Sequence, residues 1–244
     1  MTGMKSFMLF LITLITFNTD LFAAADTTGV TFLADGIINE VTPEKFTTEK
    51  ESRIRFVIEN NSTDLYIAMR IPEREEEKKI EQMGMQLYID INGKHKQNMG
   101  IGFPVKLENI RGDVEGARLV LKIESTMKLF GFNGIENKIV TLDEPGRIKL
   151  GFDWDKDDIL TIEYIIPIEL LSENAIELTQ KPISVGWKIN GTDDIAVPTK
   201  VNSTSLGGLP NNGITNASKP MQSGNTGNDS MKEQMIWSKY SIHL

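Results

Sequence analysis

Apolar residues recur at every second position in several short stretches of this chain, the pattern of strands that bury one face. Arg53 to Glu59 (RIRFVIE) sets Ile54, Phe56 and Ile58 on one side and Arg55, Val57 and Glu59 on the other. After the turn-forming run Asn60-Asn61-Ser62-Thr63, Leu65, Ile67, Met69 and Ile71 repeat the pattern, which predicts two adjacent strands. Met85, Leu87, Ile89 and Ile91 give another strand, ending in the turn pair Asn92-Gly93. Ile101 to Val105 offers a returning partner that Pro104 confines to an edge or a strand end. Residues 137–142 and 147–152 bracket the turn sequence Asp143-Glu144-Pro145-Gly146. Residues 160–168 and 183–189 alternate again, and Gln234 to Leu244 reads as a last strand.

Between these strands the pattern changes. PEREEEKKIEQMG, from Pro72, predicts a short helix with a charged, solvated surface. Residues 117–123 read as extended, and 124–136 as an irregular connection that packs Leu129, Phe130 and Phe132 against the core. Sustained 3.6-residue periodicity is absent, so the economical burial is two facing antiparallel sheets, a mainly β sandwich. Residues 191–232 are rich in Gly, Asn, Ser and Thr and hold no aromatic residue, which predicts a disordered polar insertion before the last strand.

The amino terminus has a different logic. Lys5, the apolar run Phe7 to Phe17 and Ala23-Ala24-Ala25 follow the order of a cleavable secretory signal over residues 1–25. The run is too short to span a bilayer comfortably and has no basic stop-transfer flank, so no membrane span is expected after cleavage. Residues 26–244 are then expected to be one exported domain, periplasmic or extracellular.

Composition narrows the chemistry. The chain has no cysteine and two histidines, His95 and His243, which excludes disulfides, thiolate metal sites, thiol catalysis and a three-histidine metal centre. With 26 basic and 34 acidic residues the formal charge is -8, which disfavours nucleic acid as a partner. No phosphate-binding loop, HExxH or nucleophile elbow is present, and no enzyme activity is expected. Asp153 and Glu163 are a nominal carboxylate pair for glycoside hydrolysis, but linear sequence leaves their separation open.

The candidate binding residues have bland alternatives. Asp153, Asp155, Asp157 and Asp158 in FDWDKDD are candidate ligands for Ca2+, or a solvated acidic turn. Trp154 within that run can stack on a sugar ring, or cover a sheet edge. Tyr66 and Tyr88 stand opposite the apolar alternations of their strands, lining a groove or lying beneath another segment. Trp187 shares a face with Ile183, Val185 and Ile189 and reads as core, and Trp237 as core or rim. Asp90, Asn92 and His95 surround a turn, where Asp and Asn commonly satisfy local backbone groups.

The opening ADGIINE (34–40), then RIRFVIENNSTDLYIAMRI and GMQLYIDINGKHKQNMGIGFPV, resembles the family 9 carbohydrate-binding modules found in exported bacterial proteins. YIIPIELL, ISVGWKING and MIWSKYSIHL extend the resemblance over about residues 30–244, with poor coverage at 106–146 and across the polar insertion. It implies a jelly-roll-like antiparallel sandwich, carbohydrate binding and, in some relatives, structural Ca2+. Asp35, Gly36 and Glu40 match the opening pattern, and Asp64 and Tyr66 the start of a strand. Val41 stands where many relatives have tryptophan, and the family's sugar-clamping tryptophan pair is left unassigned among Trp154, Trp187 and Trp237. The expectation is a non-catalytic carbohydrate-binding-like domain whose ligand contacts are Trp154 with Tyr66 or Tyr88. The alternative is an envelope protein-interaction or scaffolding sandwich that has lost sugar binding, favoured by Val41 and the insertion.

Overall fold

The computed structural model describes residues 30–105, 118, 122, 125–191 and 232–244. The expected signal segment and nearly all of the polar insertion lie outside the described residues. The alternating segments form two antiparallel sheets. The first holds β1 (Thr47–Thr48), β2 (Arg55–Asn60), β3 (Asp64–Ile71), β9 (Leu160–Pro167) and β8 (Lys149–Trp154), in that order. The second has the order β11 (Gln234–Tyr240), β10 (Ile183–Ile189), β4 (Met85–Asp90), β5 (Gly100–Phe103), β6 (Thr126–Phe130) and β7 (Lys138–Thr141). The chain passes between sheets from β3 to β4, from β7 to β8 and from β9 to β10. The result is a β-sandwich.

Period-two alternation decides which side chains meet between the sheets. Ile67, Met69, Ile162 and Ile166 point inward from the first sheet, and Leu87, Ile101, Val185 and Trp187 from the second; all eight are fully buried. Residues 124–136, expected to be irregular, instead contain β6. Its alternation buries Leu129 and turns Phe130 to the opposite side, while Phe132 does pack inward. Turns are held by their own side chains: Asn61 Oδ1 accepts from the backbone N–H groups of Thr63 (2.9 Å) and Asp64 (2.7 Å), which closes the β2–β3 hairpin.

The charged segment after Pro72 forms α1 (Arg74–Met83), but it is not the solvated helix expected. Ile80 is fully buried, and Glu76, Glu77, Lys79 and Glu81 are buried with it. Lys79 Nζ donates to Glu76 Oε1 at 3.0 Å. Glu77 accepts from Arg74 and Arg118, and from Trp154 Nε1 at 2.5 Å. Burial of these charges is tolerable because each is paired and hydrogen-bonded. Arg118 and Lys122, in the stretch expected to be extended, are helical, which sets them one turn apart beside Trp154.

A third layer covers one side only. Residues 30–46 cross the outer face of the first sheet, where Phe32, Val41, Val57, Tyr66, Ala68 and Ile165 make a second apolar cluster. The Asp35-Gly36 turn is pinned from below: Glu163 Oε2 accepts from the Gly36 N–H at 2.7 Å and the Asp35 N–H at 3.2 Å. Gly36 has φ +85°, and a Cβ there would stand 2.4 Å from the Asp153 nitrogen, so the turn requires glycine. Among the described residues no helix is long and apolar enough to cross a membrane.

Candidate functional site

The aromatic residues expected to act together do not meet: Tyr66 and Trp154 stand on different strands of the five-stranded sheet, and Tyr88 belongs to the other sheet. Tyr66 lies on the outer face of the first sheet beneath the N-terminal segment, with no exposed surface. Its ring stacks on Phe32 at 4.6 Å, and its hydroxyl donates to Glu163 Oε1 at 2.5 Å. Burial, reinforced by the neighbouring Glu163, holds the phenol protonated well beyond the usual tyrosine range. This corrects the placement of Tyr66 in a groove: its alternation is as expected, but another segment covers it. Glu163 is likewise fully buried, so it does not face a cleft with Asp153. Burial raises its pKa above the usual carboxylate value, against the lowering effect of the Tyr66 and Gly36 hydrogen bonds.

Trp154 sits at the rim of the sandwich, packed edge-on to Phe152 at 5.8 Å. With Asp153 and Asp155 it lines a cleft of about 410 Å³ beside Ile37, Val41 and Phe46. Cations already engage its ring: the Arg118 guanidinium stands 4.7 Å from the centroid and the Lys122 ammonium 5.7 Å. A sugar stacking there competes with both.

The carboxylates of Asp153, Asp155 and Asp158 hold the turn and neighbouring cations. Asp155 Oδ1 accepts from the N–H groups of Asp157 (2.9 Å) and Ile159 (3.0 Å), while Oδ2 pairs with Arg70. Asp153 Oδ1 accepts from Lys122 Nζ at 2.6 Å and the Trp154 N–H at 2.8 Å, and Asp158 pairs with Arg118. For Asp153 and Asp155 burial opposes ionisation, but these partners hold both carboxyls below the usual range. Asp158 is lowered chiefly by its hydrogen bond from Arg118. Among the described residues no three acidic or histidine side chains gather as a metal site.

Tyr88 belongs to a different surface, the outer face of the second sheet. Strand register aligns one row across five strands: Trp237, Gly186, Tyr88, Gly100 and Phe130. The glycines let the rings lie down on the sheet. A Cβ on Gly186 would stand 2.6 Å from the Trp237 ring, and one on Gly100 would stand 2.9 Å from Phe130 Cζ. Tyr88 is 6.3 Å from Trp237 and 6.0 Å, edge-on, from Phe130. His95 stacks on Trp237 at 4.7 Å, carried by a loop that Asp90 organises. Asp90 accepts from the N–H groups of Asn92 (3.0 Å), Lys94 (2.6 Å) and Lys96 (3.0 Å), its expected turn role. Burial works against its charge, but these three donors hold its carboxyl below the usual range.

The next row reads Lys188, Gln86, Gly102 and Lys128. Together with Tyr88, Phe130, Gln97, Asn137 and Asn190 the three longer side chains line a shallow, open groove of about 480 Å³. It presents aromatic surface beside amides that both donate and accept hydrogen bonds. Of these residues the sequence pattern singles out Tyr88, whereas it reads Phe130 as core and Trp237 as core or rim. The available signal was a glycine at the outward position of a strand in SVGWK and in GIGF, facing bulky neighbours.

No family model and no curated protein matches the chain. Two solved structures of a family 9 carbohydrate-binding module from Caldicellulosiruptor kristjanssonii are similar to it, one in complex with glucose and one with cellotriose. Both are 10% identical and cover 66% of this chain, with TM-scores of 0.33 and 0.35 over 74% and 72% of their own chains. At that identity the likeness concerns the fold alone.

Proposed function

We propose that the outer face of the six-stranded sheet binds saccharide without turning it over, in an exported protein of the envelope or exterior. Within the aligned row Tyr88 is buried and His95 stacks on Trp237, so the partly buried Phe130 offers the ring that sugar C–H surfaces can stack on, and it carries this reading. Gln86 and Gln97 beside it supply donors and acceptors that sugar hydroxyls require, while Asn137 Oδ1 accepts from the Gly131 N–H and Asn190 Nδ2 donates to the Met83 carbonyl. Among the described residues the lining includes no carboxylate. The leader-like residues 1–25 support the export part.

The test is calorimetry and pull-down against a panel of soluble and insoluble glycans, comparing wild type with Phe130→Ala. Phe130 is only partly buried. Its truncation should weaken binding by about tenfold, roughly one stacking interaction, with the melting temperature retained. Unchanged affinity in that variant rejects this face as the site. Absence of binding across the panel, with a stoichiometric envelope protein co-purifying instead, favours the scaffolding alternative.

A further inference from the structure

Resting on that saccharide reading, we propose that the groove selects an anionic saccharide, one that carries carboxylate groups such as an oligouronate. The chain as a whole is at -8, yet the groove lining reverses this sign. Its charged members are Lys128 and Lys188, and four carboxamides complete the polar set. A surface built for neutral hydroxyls gains from carboxylate acceptors, and among the described residues the carboxylate here is that of Glu233 at the edge, on Lys188. An ammonium offers three donors and no acceptor, and its hydrogen bonds to a carboxylate are about twice as strong as neutral ones.

Register puts the two lysines in one row, Lys188 on β10 and Lys128 on β6, with Gln86 and Gly102 between them. They flank the groove across three strand spacings, about 14 Å at the backbone. The protein itself displays the recognition chemistry: Glu233, just ahead of β11, holds its carboxylate 3.0 Å from Lys188 Nζ. That side chain is half exposed at the groove's edge, where a ligand carboxylate can compete with it. The negative charge elsewhere disfavours polyanions at long range, which confines attraction to this strip and makes it sensitive to salt.

Calorimetry should compare oligomers of galacturonate, glucuronate, mannuronate and guluronate, each beside its neutral methyl ester, at low and high salt. At least one acid form should bind about tenfold tighter than its ester, and high salt should narrow the gap. Lys128→Gln should abolish most of that preference, bringing the acid form's affinity close to that of its ester. Glu233→Gln should strengthen binding of the acid form, because it removes one carboxylate that competes for Lys188. Equal or tighter binding of every ester, or an acid-form affinity indifferent to both variants, overturns the proposal. A neutral glucan whose binding is lost in Phe130→Ala, with no acid form bound tighter than its ester, leaves the saccharide face standing and rejects its charge preference; no binding by any glycan rejects both.

Discussion

Glu163 shows how one buried carboxyl can organise two segments. It holds the Tyr66 hydroxyl from its own sheet and the Gly36 N–H from the layer above. Burial raises its pKa above the ordinary 4.5, so between that pH and the raised value the folded protein keeps a proton that the unfolded chain releases. Stability from this group is therefore complete below about pH 4.5 and declines as pH rises through the folded pKa. Glu163→Gln keeps an acceptor for Gly36 and carries no charge at any pH. Urea denaturation should show the variant gaining on wild type between pH 4 and pH 7, and a constant or shrinking difference would count against the buried charge. The lowered carboxyls Asp90, Asp153 and Asp155 are common to both proteins and cancel in the comparison. At this scale the sequence is legible only in part. Alternation placed Tyr66 off the core face, but what lies above an outward residue depends on a segment that has no period of its own. Asp35-Gly36 was visible as a motif, whereas its partner 127 residues from Gly36 was not.

Strands and turns were largely readable, because every alternating run buries one side between the sheets. The exceptions have physical causes. α1 carries charges that look solvated in isolation, yet Arg74 and Arg118 bring compensating partners to Glu77, and Arg118 comes from a distant segment. The aromatic row is a property of register across β11, β10, β4, β5 and β6, and a single strand does not contain it. Gly186 provides its test. An added Cβ would meet Trp237 ring atoms at 2.6–2.7 Å, and a rigid indole pressed against a sheet has little room to retreat. Gly186→Ala should cost about 1–3 kcal/mol in urea denaturation, change the tryptophan emission and weaken saccharide binding. Wild-type stability with unchanged emission would mean that Trp237 does not rest on this glycine.

For the molecule as a whole, the core is the space between the sheets, and Leu87 stands near its middle. It is fully buried, in register with Ile101 on one side and Trp187 on the other. Leu87→Ala should lower the unfolding free energy by about 2–5 kcal/mol through lost burial and an unfilled cavity. A denaturation midpoint close to wild type would displace Leu87 from the core. The two outer faces differ: one is roofed by residues 30–46, and the other carries the aromatic row and the groove. The protein therefore has a front and a back. Val30 stands at the β2–β3 turn, its carbonyl held by Asn61 Nδ2 at 2.9 Å. A partner that approaches the five-stranded sheet on its outer face therefore meets residues 30–46 before it meets a strand.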